Sequence, residues 1–201
     1  MDQRIANALS TVTAKRIENS QRVPAAVLLP LLKDETGHHV LFVKRSNTVK
    51  HHRGEISFPG GVVESGDTAL LDTALRESHE EIGLAPADVT ILGQLDDMET
   101  ASTGYVITPF VGLIAYPYAF RINTDEVETL IIVPLDILMN RPCGESYTTK
   151  NGKQPLPSIF SYNEHLIWGA TARILLQLIN LIAEPSAPRP MDMVDSKPKK
   201  R

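Results

Sequence analysis

Residues 56–84, ISFPGGVVESGDTALLDTALRESHEEIGL, leave few choices of local structure. Pro59-Gly60-Gly61 forces the chain to turn. The spacing of Leu71, Leu75, Ser78 and Ile82 then predicts a helix from Thr68 to Ile82, with those four residues on one face. Asp67 or Thr68 can cap its start, and Gly83 stands where a left-handed C-cap is wanted. Three glutamates, Glu77, Glu80 and Glu81, crowd the end where unpaired carbonyls already carry partial negative charge. Glu77 and Glu81 are also a like-charge i,i+4 pair, which costs roughly 0.2–0.5 kcal/mol. A bound cation would offset this. At the helical period the three carboxylates fall within about a 100° arc, away from the Leu71/Leu75/Ile82 stripe, so all can reach one small volume. Arg76, four residues before Glu80, can pair with it or hold a neighbouring glutamate. Hard oxygen ligands of this kind suit Mg²⁺ or Mn²⁺. For the helix alone, a solvated acidic face accounts for the charges equally well.

Around this unit the pattern alternates between strands and helices. Ile5, Leu9 and Val12 recur at helical spacing, so residues 3–17 read as an amphipathic helix. AAVLLPLL (25–32) and VLFVKRS (40–46) read as strands joined by a turn, and VTILGQL (89–95) and YVITPFVGLIA (105–115) as two more. Residues 125–138 read as a loop, a short strand and a further turn or helix, and Asn151-Gly152 as a hairpin turn. HLIWGATARILLQLINLI is a strand running into a long apolar helix over 168–182, with Trp168 expected in the core at their junction. The sum is an α+β layer fold, an α/β/α sandwich with a mixed sheet, in one domain over 1–183. Residues 184–201, mixing Pro, Ser and charge, are expected to be a disordered tail.

Composition narrows the function classes. A chain of 201 residues with 42% hydrophobic content supports one real core. A net charge of −4 argues against nonspecific binding to nucleic acid or anionic membrane, and no apolar run approaches the ~18 residues of a membrane span. The N-terminus lacks the apolar core of a secretory signal, and Cys143 is the only cysteine, so a cytoplasmic location is the default expectation.

The segment GGVVESGDTALLDTALRESHEEIGL resembles the signature of the Nudix hydrolases, G-x5-E-x7-R-E-U-x-E-E-x-G-U with U aliphatic. Arg76, Glu77, Glu80, Glu81, Gly83 and Leu84 stand in their places; Asp67 replaces the first Glu, eight residues rather than seven separate it from Arg76, and Ser78 occupies a U position at some expected cost in packing. The resemblance implies the Nudix fold with its loop–helix–loop, and metal-assisted attack of water on a nucleoside diphosphate linked to another group. It also implies Glu77 and Glu81 as metal ligands, Glu80 sharing metal or base duty, the Gly60 carbonyl as a further ligand, and Arg76 orienting the glutamates. A further acid from a later loop is expected at Glu126, with Asp125 and Glu128 as rivals.

LFVKRSNTVKHHRGEISFPGG (41–61) resembles the motif of the coenzyme A diphosphatase branch, L-L-T-x-R-[SA]-x3-R-x3-G-x3-F-P-G-G. Leu41, Arg45, Ser46, Gly54, Phe58, Pro59, Gly60 and Gly61 match; Phe42, Val43 and Lys50 depart. By this resemblance Arg45, Lys50, Arg53 and Phe58 are the substrate-binding residues. Arginines can grip phosphate bidentately, whereas Lys50 acts as a point charge. The adjacent His51 and His52 would point in opposite directions on an extended chain. The implied reaction cleaves coenzyme A or its acyl derivatives to 3′,5′-ADP and 4′-phosphopantetheine. ADP-ribose, a dinucleotide or a noncanonical nucleoside triphosphate is the alternative substrate, and a non-catalytic nucleotide sensor is the alternative class. The implied partner is a small nucleotide; a homodimer stays open.

Overall fold

The computed structural model describes residues 1–11, 13–18, 21–46, 54–100, 103–140 and 160–183. In chain order the first elements are α1 (Asp2–Ser10), β1 (Val23–Asp34), β2 (Gly37–Arg45), β3 (Ile56–Ser57), β4 (Gly60–Val62) and α2 (Leu70–Ile82). Then follow β5 (Thr90–Gln94), β6 (Met98–Glu99), β7 (Tyr105–Ala115), β8 (Val127–Pro134), α3 (Leu135–Asn140), β9 (Phe160–Tyr162), β10 (His165–Ile167) and α4 (Gly169–Ile182).

The centre of the sheet is a parallel pair, β1 and β7, in register from Val23↔Tyr105 to Lys33↔Ala115. β2 extends the sheet antiparallel on the other side of β1 and carries β8 on its outer edge, while β5 and β6 pair with β7. Pairing between β1 and β2 runs only from Asp34↔Gly37 to Leu31↔Val40, and then the strands part. Pro30 gives the reason. Alternate N–H groups of a strand share an edge, and Leu28 N–H points to this one, donating to Pro59 O at 2.9 Å. Pro30 would supply the next bond on that edge and has no N–H to give. Into the fork step the two short strands: β3 pairs with β2 and β4 with β1. The Pro59-Gly60-Gly61 turn is thereby held as part of the sheet.

Side chains alternate across the sheet into two apolar layers. Ala26, Leu28 and Leu32 of β1, with Leu41 and Val43 of β2, pack with Ala74, Ile82 and Leu84 of the α2 region. Leu29, Leu31, Val40 and Phe42 pack on the opposite face with Ile5 and Leu9 of α1 and the α4 residues Ile174, Leu175, Leu178 and Ile179. Cover on both faces explains why AAVLLPLL is apolar without alternation. The architecture is the expected α/β/α sandwich with a mixed sheet. No helix among the described residues is long and apolar enough to cross a membrane.

Several local expectations need correction. α1 ends at Ser10 rather than continuing to 17, because the following segment is drawn out along the sheet: Lys15 N donates to Asp96 Oδ1 and Ile17 N to Asp97 Oδ2. Trp168 is 40% exposed, at the N-cap of α4, and not in the core. Helix α2 begins at Leu70, and neither Asp67 nor Thr68 caps it; Asp72 reaches back to accept from the amides of Thr68 and Ala69 instead. Its inward face is also rotated from the expected stripe: Thr73, Ala74, Ser78, Glu81 and Ile82 are buried, while Leu71 and Leu75 are only partly so. Ser78 is accommodated by bonding its hydroxyl to Ala74 O at 2.6 Å. The Asn151-Gly152 turn, Cys143 and the 184–201 tail lie outside the described residues.

Gly60 has φ +153°, and a Cβ there would run into Ala26 O and stand 2.6 Å from Val27 Cα. Both obstacles are backbone and cannot move aside. Gly60→Ala is therefore expected to destabilise the fold by at least about 2 kcal/mol in urea unfolding; a loss within the noise of the measurement would mean that the fork is not rigid.

Candidate active site

Helix α2 lies across β4, and the glycines there determine what it can bring inward. Gly61 pairs with Ala26 and so faces the α2 side of the sheet. A Cβ on Gly61 would land on the Glu77 carboxylate, so the glycine supplies the space that the carboxylate occupies. Glu81, one turn further, is 1% exposed; its Oε2 accepts from Gly60 N at 3.3 Å and its Oε1 from Arg45 Nη1 at 3.3 Å. Glu80 points outward, 51% exposed. The glutamates do lie on one side of the helix, but Glu81 belongs to the packed face rather than opposite it.

Arg76 is tied on every side. Its Nε and Nη2 donate to the two oxygens of Asp67 at 3.1 Å each, Nη1 donates to Glu77 Oε1 and Glu80 Oε2 at 3.0 Å each, and Nη2 also reaches Val62 O. Asp67, which the sequence offered as a cap and as the stand-in for the first Glu of the signature, anchors this arginine, and Thr73 Oγ1 donates to Asp67 at 2.8 Å. No helical spacing connects Asp67 to Arg76, so no periodic signal could have shown the pair. The Arg76 guanidinium holds the Asp67 carboxyl well below the usual carboxylate range.

The loop that carries Glu126, the candidate for the later acid, is fixed by the end of α2. Gly83, at φ +67°, closes the helix in a left-handed cap with Gly83 N donating to His79 O and Leu84 N to Ser78 O. The next two carbonyls accept from a distant loop: Asn123 N donates to Glu81 O and Arg121 N to Ile82 O, both at 2.9 Å. That loop turns through Glu126, whose carbonyl accepts from Ser46 N and whose carboxylate accepts weakly from Asn123 Nδ2. Glu126 raises the proton affinity of both Glu77 and Glu81, which places it among them electrostatically. The rivals stand elsewhere. The β2–β8 register slips by one residue at Lys44/Arg45, where Lys44 pairs with Thr129 and Arg45 with Val127, and the extra residue, Glu128, bonds Lys44 Nζ at 2.5 Å. Asp125 is exposed, its amide donating to Asn123 Oδ1.

Of the remaining sequence candidates, Phe58 is corrected. It is 3% exposed and stacks on Phe42 at 5.0 Å, in the apolar layer facing away from α2, so it has no surface to offer a substrate. Gly60 touches Glu81 through its amide, a contact distinct from the carbonyl ligation expected of it. Lys50 and Arg53, with His51 and His52, lie outside the described residues.

Four carboxylates thus face two guanidinium groups. Burial pushes the Glu81 carboxyl up to about 8 despite Arg45, with Glu77 and Glu126 adding to the rise. Glu77 is raised too, again by burial first and against the pull of Arg76. Among the described residues no three acidic, histidine or cysteine groups are gathered into a finished coordination shell. The donor set nonetheless fits a hard divalent cation: all oxygen, under-compensated in charge, and in part dehydrated.

A profile of the NUDIX domain matches residues 22–145. The chain belongs to the Nudix family. It is 37% identical over 168 residues to an uncharacterized Nudix hydrolase called NudL from Photorhabdus laumondii, covering 82% of this chain and 87% of that one. It is 33% identical over 174 residues to Nudix hydrolase 3 of Caenorhabditis elegans, covering 78% and 72%. Among solved structures, a MutT/nudix family protein from Enterococcus faecalis shares the fold, with a TM-score of 0.57 at 13% identity over 96% of this chain and 78% of that chain. As a Nudix hydrolase the chain is a pyrophosphohydrolase acting on a nucleoside diphosphate derivative, in a family that generally uses divalent metal ions.

Two predictions follow from this Nudix site. Gly61→Ala displaces a flexible carboxylate rather than backbone, so it should cost turnover far more than stability; steady-state assays beside a thermal melt separate the two. For Glu81, the folded carboxyl at about 8 exceeds its ordinary value of 4.5. Its contribution to stability is therefore complete below pH 4.5 and lost as the pH rises through 8. In EDTA the melting temperature should decline across that window, and Glu81→Gln should flatten the decline.

Proposed function

We propose that this Nudix hydrolase cleaves the pyrophosphate bond of coenzyme A or acyl-coenzyme A to 3′,5′-ADP and 4′-phosphopantetheine or its acyl form, with Mg²⁺ or Mn²⁺. The observation that carries the reading is the position of Arg45. This arginine of the coenzyme A-type motif reaches the buried glutamate of the Nudix helix, joining the two sequence patterns in one site. Leu41, Ser46, Gly54, Phe58, Pro59, Gly60 and Gly61 supply the rest of the match.

In this reading Glu77, Glu81 and Glu80 hold the metal, and Arg76 fixes Glu77 and Glu80 through its own anchorage on Asp67. The metal, when bound, neutralises the pyrophosphate and lowers the pKa of a bound water. Glu126, or Glu80 where it shares metal and base duty, is the carboxylate that would accept the proton of the attacking water. Arg45, Lys50 and Arg53 bind phosphate oxygens, and the 3′-phosphate that sets coenzyme A apart calls for such cations.

The test is a turnover screen with Mg²⁺ or Mn²⁺ against coenzyme A, dephospho-coenzyme A, ADP-ribose and nucleoside triphosphates. Coenzyme A should be preferred over its dephospho form, and Glu81→Gln should lower kcat by at least about a hundredfold, more than loss of a group that merely supports a ligand. Preference for ADP-ribose or a triphosphate would keep the hydrolase and reject the coenzyme A assignment. Nucleotide binding without any turnover would indicate a sensor.

A further inference from the structure

The two arginines that oppose the glutamates are built differently. Arg76 donates from Nε, Nη1 and Nη2 to five acceptors and is locked in place. Among the described residues the Arg45 side chain makes one hydrogen bond, to Glu81 Oε1, and its buried Nε has no partner there. An unpaired donor on a buried, charged group is costly, and a fixed structural arginine would have it satisfied. The Arg45 backbone is not loose. Its N–H donates to Glu55 O, its carbonyl accepts from Gly54 N, and the next residue bonds Glu126 O. Only the side chain has freedom, and at 24% exposure its guanidinium borders the open side of the site.

Glu81 meanwhile has a protein donor on each oxygen, Gly60 N on one and Arg45 on the other. The amide belongs to the sheet and is fixed; among the described residues the guanidinium is the one positive charge bonded to this carboxylate. A cation approaching Glu81 meets that charge, while a guanidinium that leaves Glu81 carries its unsatisfied Nε toward any acceptor with oxygens to spare. A diphosphate is such an acceptor, and it presents the paired oxygens that suit the guanidinium fork.

The geometry points to Arg45 as a resident counter-ion that holds the place of a divalent cation at Glu81 and passes to the substrate's phosphate when the cation arrives. The inference rests on the metal-dependent reading of the site. Its consequence is that metal and nucleotide bind cooperatively: each frees the arginine from the partner that the other needs.

Mn²⁺ binding, followed by the electron paramagnetic resonance of the free ion, and ADP binding, followed by calorimetry, test this without turnover. Without nucleotide, Arg45→Gln should bind Mn²⁺ at least about 5-fold more tightly than the wild type, and the mutual tightening between Mn²⁺ and ADP seen in the wild type should disappear. Arg45→Lys, which keeps the charge but not the fork, should hold Mn²⁺ affinity near wild type and weaken the coupling. Glu81→Gln provides an arm independent of folding at position 45: with the guanidinium released, it should bind ADP more tightly than the wild type in EDTA. Equal or weaker Mn²⁺ binding by Arg45→Gln, or unchanged ADP binding by Glu81→Gln in EDTA, overturns the proposal and leaves the metal site standing. Absence of Mn²⁺ binding by the wild type overturns both.

Discussion

Everything at the candidate site depends on how closely helix α2 approaches the backbone of Gly60 and Gly61. Gly61, without a side chain, leaves a hollow that the Glu77 carboxylate occupies, and Gly60 turns its amide to Glu81. With any other residues in the turn, α2 would have to ride higher and its glutamates would remain in water. The fork between β1 and β2, opened where Pro30 lacks its donor, is what brings the turn under the helix. A missing amide on one strand and a missing side chain on the next therefore have a joint effect, the close seating of Glu77 and Glu81 against the sheet.

Such burial is unfavourable for an anion, and the chain offsets it only in part. Arg76 neutralises the outer pair, Glu77 and Glu80, and is itself neutralised by Asp67. Glu81, the most deeply buried of the glutamates, has one long contact, to Arg45. The imbalance is spatially graded: well-compensated at the rim and poorly compensated at the floor. A site made to be stable on its own would reverse that gradient. One that gains most of its stability from a ligand has its strongest deficit where the ligand is to sit.

The sequence revealed the parts of this arrangement that are local in the chain. The Gly83 cap, the Pro59-Gly60-Gly61 turn, the bounds of β7 and the glutamate cluster are visible because each rests on backbone rules or helical spacing over a few residues. The orientation of α2 was not visible. Periodicity chose the Leu71/Leu75 stripe as the inner face because it is the more apolar, whereas the hollow over Gly61 rotates the helix toward Glu81. Phe58 was misplaced for a related reason: a motif shows which residues occur together but not toward which face of the sheet each side chain turns. That Glu128 turns to Lys44 while Glu126 stands on the loop at the end of α2 depends on a one-residue bulge between strands that meet across the chain, a long-range fact that neighbouring residues do not encode.

The bonds from the amides of Arg121 and Asn123 to the last carbonyls of α2 have a meaning beyond geometry. They pin the two ends of the intervening segment, residues 85–120, so that its entry and its return are both referenced to the same helix end. Whatever happens between those points, the returning acid is delivered to the same place. Loops in that span are thus free to lengthen or shorten over evolutionary time without moving the point at which the chain returns. A lineage could remodel what surrounds the far end of its substrate while inheriting the site unchanged.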